Sequence, residues 1–494
     1  MRFYYSIVIV FILFTSSCAV SKNFNPNTKY APQQLQQDYE VFQNILEEQH
    51  PGLYWYTSKD SMDYYFNLAK AFLKDSLIEN RFRNILDYVV SKINCGHTAV
   101  IASKHFIRAS DSLRPRPFPL SLKIWPDTAV VTINLNRKDS LVTRGSILTS
   151  IDDRPMQQII DTLFQFLPAD GYNLTHKYQT LSNRNTFSYL YTSVFGYKPS
   201  YKITYIDTSG SIKSGVVRLS SPVKDTSSHR RKPLPTPKIS KKELKKLELA
   251  ANRTLRLDKA SQTAFMNLNS FTKDSRLHRF FKQSFKQLKK DKIEHLVIDL
   301  RGNGGGNVMN SNLLTKYIST KRFKIADSLY AIKRSGNYGH YQQQHFWNWL
   351  FMVMMTRKRK DGNYHFKYFE RKYFKPKRKN HYDGKVYVLT GGNTFSASTL
   401  FINSVKNQDN VLVVGEETGG GAYGNNAWLI PEVTLPNTKV RFRLPLFRLV
   451  IDKNEQKGQG IQPEIPALPT VNAIRRNADF KMEKVLEIIN AAKH

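Results

Sequence analysis

The chain has 494 residues, with 75 Lys and Arg against 39 Asp and Glu for a formal net charge of +36, and 40% of its residues are hydrophobic. That length exceeds what one core usually holds, so two to four units are expected, and two cysteines exclude a disulfide-stapled scaffold. The positive charge would draw any polyanion, but no nucleic-acid module signature accompanies it, so specific nucleic-acid binding is not predicted and the basic runs are taken as solvated faces.

Met1-Arg2 is followed by an apolar stretch from Phe3 to Phe14 and then by Thr15-Ser16-Ser17-Cys18, so residues 1–20 read as a signal peptide. Small residues directly before a cysteine resemble a bacterial lipobox, although Thr15 stands where Leu is usual; lipidation at Cys18 is the expectation, and cleavage nearby with Cys18 discarded is the alternative. An exported protein of the bacterial envelope or periplasm, held at the membrane surface by a lipid and aided by its basic tracts, follows from this reading. Residues 34–112 show helical periodicity, clearest in Phe82, Ile85, Leu86, Val89, Val90 and Ile93, and Gly96 is the expected left-handed cap just before His97. From 113 to 215 short apolar runs with turn signals at Pro126-Asp127 and Asp152-Asp153 predict a strand-rich module. Residues 216–260, rich in Pro, Ser and Lys, predict a basic linker with room for one helix.

From 261 to 494 strands and helices alternate. A helix carrying Leu277, Phe281, Phe285 and Leu288 precedes a strand at Leu296 to Leu300, and Val386 to Thr390 and Val411 to Val414 follow, the pattern of an α/β layer with crossover connections. The insertion 321–383 is dense in Tyr, Phe, Lys and Arg around an apolar run from Phe346 to Met355. Ten residues are too few to span a bilayer; the run fits a lid, an interfacial helix against anionic lipid, or a buried helix of an enlarged domain.

Three glycine-rich loops each follow a short apolar strand: Arg301 to Gly306, Gly391 to Ser398, and Gly415 to Gly421. In open α/β sheets, strand ends are where sites are built. Consecutive glycines can turn their amides toward one point, where an anion or an oxyanion would sit. A serine at a strand-to-helix turn, as Ser396 is, is placed like a nucleophile, though on this loop alone it reads as a helix cap.

In this order the loops resemble the tail-specific (C-terminal-processing) serine protease family. Its Asp-Leu-Arg-x-Asn-x-Gly-Gly loop matches Asp299 to Gly306, its Ser-Ala-Ser turn Ser396 to Ser398, and its Gly-Glu-x-Thr-x-Gly loop Gly415 to Gly420. Gly460 to Ile465 resembles the family's Gly-Ile-x-Pro-Asp-Ile tail. Glu47 to Gly52 and Cys95 to Thr98 resemble the helical domain of the tricorn-like and retinoid-binding-protein-like branch. The resemblance implies a multidomain α/β fold with an N-terminal helical domain, a PDZ-like module around Leu141 to Asp152 and an α/β protease core. It implies Ser396 as nucleophile, the amides of Ala397 and of Gly305 or Gly306 as oxyanion donors, peptide or protein substrates, and neither metal nor organic cofactor.

Where the Ser/Lys branch has its catalytic lysine this chain has Gly421, so the resemblance passes the role of base to His97. The tricorn-like branch supports that histidine with a preceding Ser and a distant Glu; here Gly96 and Lys457 stand at those places, and Glu455 is the nearest carboxylate to the latter. The function expected is an exported serine endopeptidase. Its rival is a catalytically inactive relative that binds peptides or envelope polymers.

Overall fold

The structure, a computed structural model, describes residues 24–113, 118–136, 138–219 and 239–491. The leader and Cys18 lie outside the described residues.

A six-stranded sheet organises the core. Its order is Arg253–Asp258, Thr263–Leu268, His295–Asp299, Lys385–Thr390, Val411–Gly415 and Ile465–Pro466; the first pair is antiparallel and the rest parallel. The central strands are near-continuous apolar runs because helices cover both faces. Leu296, Ile298, Val386 and Val388 face one layer with Phe281, Phe285, Leu314 and Phe401. Val297, Tyr387, Leu389 and Val414 face the other, against Val485 and Ile489 of the closing helix Phe480–Ala491. All three glycine-rich loops therefore leave the carboxyl ends of neighbouring parallel strands. Arg253–Asp258 falls inside the stretch expected as linker; the helix before it, Lys241–Asn252, buries no residue.

The N-terminal helices Pro32–Gln49, Lys59–Ala71 and Glu79–Ile93 do not close a core of their own. Phe42, Leu46 and Leu86 share one hydrophobic cluster with Phe323, Leu329 and Phe366 of the insertion and with Val433, Phe442 and Phe447. Asn94, not Gly96, takes the left-handed cap of the third helix, at φ 54° and ψ 45°. Asparagine tolerates that region because its short amide hydrogen-bonds locally. The segment 118–218 builds a sheet of Leu120–Trp125, Thr128–Asn134, Ile147–Ile151, Ser200–Ile206 and Ile212–Arg218, with positive φ at Asp127, Asp152 and Asp153 as the turn signals required. Three helices, Met156–Phe164, Leu174–Ser182 and Thr186–Phe195, cross it; the sequence had pointed only to strands there.

Candidate active site

Ser396 sits directly before the helix Ala397–Val405 at φ 56° and ψ −120°. A residue with a Cβ reaches that conformation at a cost of about 1–3 kcal/mol, and such strain persists where the surroundings force it. Here the force comes from packing on two sides. Phe395 N donates to Asn303 O at 3.1 Å, and Thr394 Oγ1 donates to Leu300 O at 2.8 Å. A Cβ on Gly305 would lie 2.7 Å from Ser396 Cβ, and one on Gly420 would lie 3.0 Å from Ser396 N. The first and third loops are glycine-rich because the serine turn is pressed between them.

Asn303 Oδ1 accepts the amide of Gly305 at 2.9 Å, so Gly305 is not an oxyanion donor. The amides of Gly306 and Ala397 donate to no acceptor among the described residues. A Cβ on Gly305 would stand 2.9 Å from Ala397 N, which places that loop against the first amide of the helix. Ser396 opens on a cleft of about 300 Å³ walled by Gly306, Val308, Met309, Leu400, Trp428 and Ile430. Asn425 also lines it, with a side-chain oxygen that is buried and unpartnered among the described residues.

His97 packs its ring on Phe395, the residue before the serine, with centroids 4.8 Å apart. Neither of its ring nitrogens has a hydrogen-bond partner among the described residues, so no direct bond joins it to Ser396. The carboxylate facing it is Asp170, with Oδ1 3.9 Å from His97 Nδ1 and only 2% of the side chain exposed. Asp170 Oδ1 also accepts the amide of Gly96 at 2.9 Å, and Oδ2 that of Gly421 at 3.3 Å. Gly96 is therefore no lost support: a Cβ there would strike Phe395 Cζ at 2.5 Å.

Glu455 does not reach this place. It pairs with Lys406 at 2.5 Å, beyond the C-terminal end of the helix whose other end carries Ser396, roughly 13 Å along the axis. Lys457 lies over the Tyr423 ring at 5.1 Å. The expectation that Glu455 orients His97 is thus overturned, and Asp170 stands where it was sought.

His176 is a second residue the sequence did not point to. It stacks on the opposite neighbourhood of Phe395 at 4.9 Å, and its Nδ1 lies 2.7 Å from Gly392 O, which fixes that nitrogen as the donor. Burial lowers its pKa, so the ring is held neutral. His50 underlies the His97 loop. Its Nε2 meets Thr98 Oγ1 at 2.8 Å, its Nδ1 accepts Gly52 N at 3.2 Å, and burial pushes its pKa down to about 3. Burial likewise pushes the free Cys95 thiol up to about 11. Among the described residues no group of three His, Cys, Asp or Glu gathers as metal ligands.

The motif acids hold the loops in place. Asp299 pairs with Arg301 at 2.6 Å, and Arg301 reaches on to Asp479 before the closing helix. Glu416, in the third loop, is buried against Lys481 at 2.6 Å, and Lys481 also donates to Thr390 O at 2.7 Å. Burial alone would raise the Glu416 carboxyl, but Lys481 and Lys123 outweigh it and hold it below the usual range.

A mostly parallel α/β sheet thus carries a strained serine at a strand-to-helix turn with free amides beside it. Residues 262–467 match peptidase family S41, so this part of the chain resembles the tail-specific serine proteases. Among solved structures, mature CPAF is 14% identical over 93% of this chain and 98% of its own, with a TM-score of 0.62. CPAF complexed with lactacystin gives 14% identity, the same coverage and a TM-score of 0.61. The photosystem II D1 C-terminal processing protease, 13% identical over 90% of this chain and 98% of its own, superposes at 0.39, too loosely to bear on the fold. No curated protein matches the chain.

Proposed function

We propose that the protein is an exported serine endopeptidase that cleaves peptide bonds through an acyl-enzyme at Ser396. The observation that carries this is the strained backbone of Ser396 at the mouth of a cleft, with the Ala397 and Gly306 amides unused beside it. In the proposed reaction Ser396 Oγ attacks the scissile carbonyl carbon while His97 accepts the hydroxyl proton. The oxyanion is met by the amides of Ala397 and Gly306. His97 then returns the proton to the leaving amine, and a water repeats the sequence on the acyl group. Asp170 faces His97 Nδ1 and favours the imidazolium formed on the way. The gap now separating ring and hydroxyl closes when substrate seats, as hydrogen bonds of this kind tighten in the complex. The strand-rich segment 118–218 is proposed as a PDZ-like peptide-binding module, and Cys18 as the site of a lipid that keeps the mature chain at the envelope membrane.

A serine-directed fluorophosphonate tests the reading. Wild type is expected to be labelled and to hydrolyse peptides, and Ser396→Ala to do neither while unfolding at the same temperature. A wild type that stays unlabelled, or a Ser396→Ala variant that keeps more than about a tenth of the rate, rejects it.

A further inference from the structure

The insertion holds a helix, His345–Met355, of which only Asn348 and Met352 are buried. At 100° per residue Trp349, Val353, Phe346, Leu350, Met354 and Trp347 fill one continuous arc, and it faces outward. Phe346 is 58% exposed, Trp347 64% and Met354 63%. The most apolar helix among the described residues is thus laid on the surface, contrary to the reading of a buried element. Water-soluble surfaces seldom carry such a patch without a partner for it.

Charge selects the partner. The helix has no acidic residue, and the stretch from Arg357 to Lys379 that continues from its end holds eleven Lys and Arg against Asp361 and Glu370. Those two acids are already taken: Asp361 meets His365 at 2.9 Å, and Glu370 meets Arg359 at 2.7 Å. Arg357, Lys358, Lys360, Lys372 and Lys375 have no ion pair among the described residues, and all are exposed. Arg357 joins the two features, its Nη1 donating to Val353 O at 3.1 Å at the helix end.

We propose that this helix is an interfacial docking element. It lays Phe346, Trp347, Leu350 and Met354 into the boundary between headgroups and acyl chains of an anionic bilayer, and the basic stretch binds lipid phosphates. No described helix is long and apolar enough to cross the membrane, so the element lies on it. On its inner side Phe351 packs on Phe366 at 5.8 Å, and Phe366 meets Trp428 at 6.2 Å, which walls the Ser396 cleft. The rings of Phe351, Phe366 and Trp428 thus run from the underside of the helix to the cleft. If the peptidase reading holds, the substrates are polypeptide segments at the membrane surface; the docking itself does not depend on that reading.

The test uses the full chain with Cys18→Ser, so that no acyl chain contributes, and with Ser396 both intact and replaced by Ala. Flotation with phosphatidylcholine–phosphatidylglycerol vesicles is expected, weaker by about tenfold or more on phosphatidylcholine alone or in high salt. Lipids brominated in the acyl chain should quench tryptophan emission; residues 1–23 contain no tryptophan. Trp347→Ser/Leu350→Ser/Met354→Ser should weaken flotation about tenfold or more without altering the unfolding temperature or hydrolysis of a soluble peptide. A triple variant that floats as the parent does, or an absence of quenching, overturns the proposal. So does a parent that is dimeric in solution, gives a monomeric triple variant and does not float, for the face would then join two copies. A chain with Ser396 intact that floats but hydrolyses no peptide would reject the peptidase reading alone.

Discussion

Asp170 touches three parts of the site at once: the amide before His97, the ring of His97, and the amide of Gly421. Asp170→Asn keeps the shape but removes the charge that favours a protonated His97, so kcat/KM should fall by about 10²-fold or more with the fold intact. Glu455→Gln, which loses only a pair with Lys406, should leave kcat/KM within about twofold. A reversed ranking would return the role to Glu455. His50 gives a pH test. Its folded pKa, about 3, lies below the ordinary value near 6.5, so the unfolded chain binds the extra proton and stability falls as pH drops through that window. The unfolding free energy of wild type, read from denaturant titrations, should fall by roughly 2–3 kcal/mol more than that of His50→Gln between pH 7 and 4.5. An equal acid slope in both would mean that His50 is protonated in place. Ser396 could be singled out in the sequence because the three loops occur in the family's order, although its own turn read as a helix cap. Asp170 could not, since a carboxylate supplied from a loop far along the chain leaves no spacing to read.

At the scale of elements, the first and third loops are tied at their strand ends by charged residues of their own motifs, Asp299 with Arg301 and Glu416 with Lys481, while the serine loop, which has no charged residue, is held through Thr394 and Phe395. Glu416 and Lys481 form the most enclosed of these ties, linking the third loop to the closing helix and to Thr390 of the serine strand. Lys481→Met leaves a carboxylate buried without its partner and should destabilise the chain by about 3–5 kcal/mol; the double variant Lys481→Met/Glu416→Leu should recover most of that. Urea unfolding of the two decides it. Strands of the central sheet were readable as buried apolar runs, and the helix Leu277–Lys290 as an amphipathic period. The strand Arg253–Asp258 was hidden by its charged composition, which suits an edge where alternate side chains remain in water. The left-handed cap was misplaced by two residues because Asn94 competes with Gly96 for the role, and Gly96 is required instead by its approach to Phe395.

For the whole molecule, the position of His97 depends on a core that the sequence divides among three distant segments. Its loop runs into the strand Val100–Ile101, which pairs with Arg441–Arg443, and Arg443 N donates to Ala99 O at 2.9 Å. Phe442, between these, is wholly buried and meets Phe42 of the first helix edge-on at 5.0 Å. Asp38 of the same helix accepts Thr438 N at 2.8 Å and Asn437 N at 2.8 Å. The N-terminal helices are thus packed against the C-terminal half, and the two are expected to unfold together. Residues 24–113 expressed alone should lack a thermal transition. In the full chain Phe442→Ala should cost about 3–5 kcal/mol, since it opens a cavity where the segments meet. That loss should appear at one midpoint whether followed by tryptophan emission or by far-ultraviolet circular dichroism. Because the cavity lies under the His97 loop, kcat/KM should drop while Ser396 still reacts with a fluorophosphonate, more slowly. Two separate transitions, with the mutation moving only the first, would show that the helices unfold on their own and that His97 is delivered by docking of a finished domain.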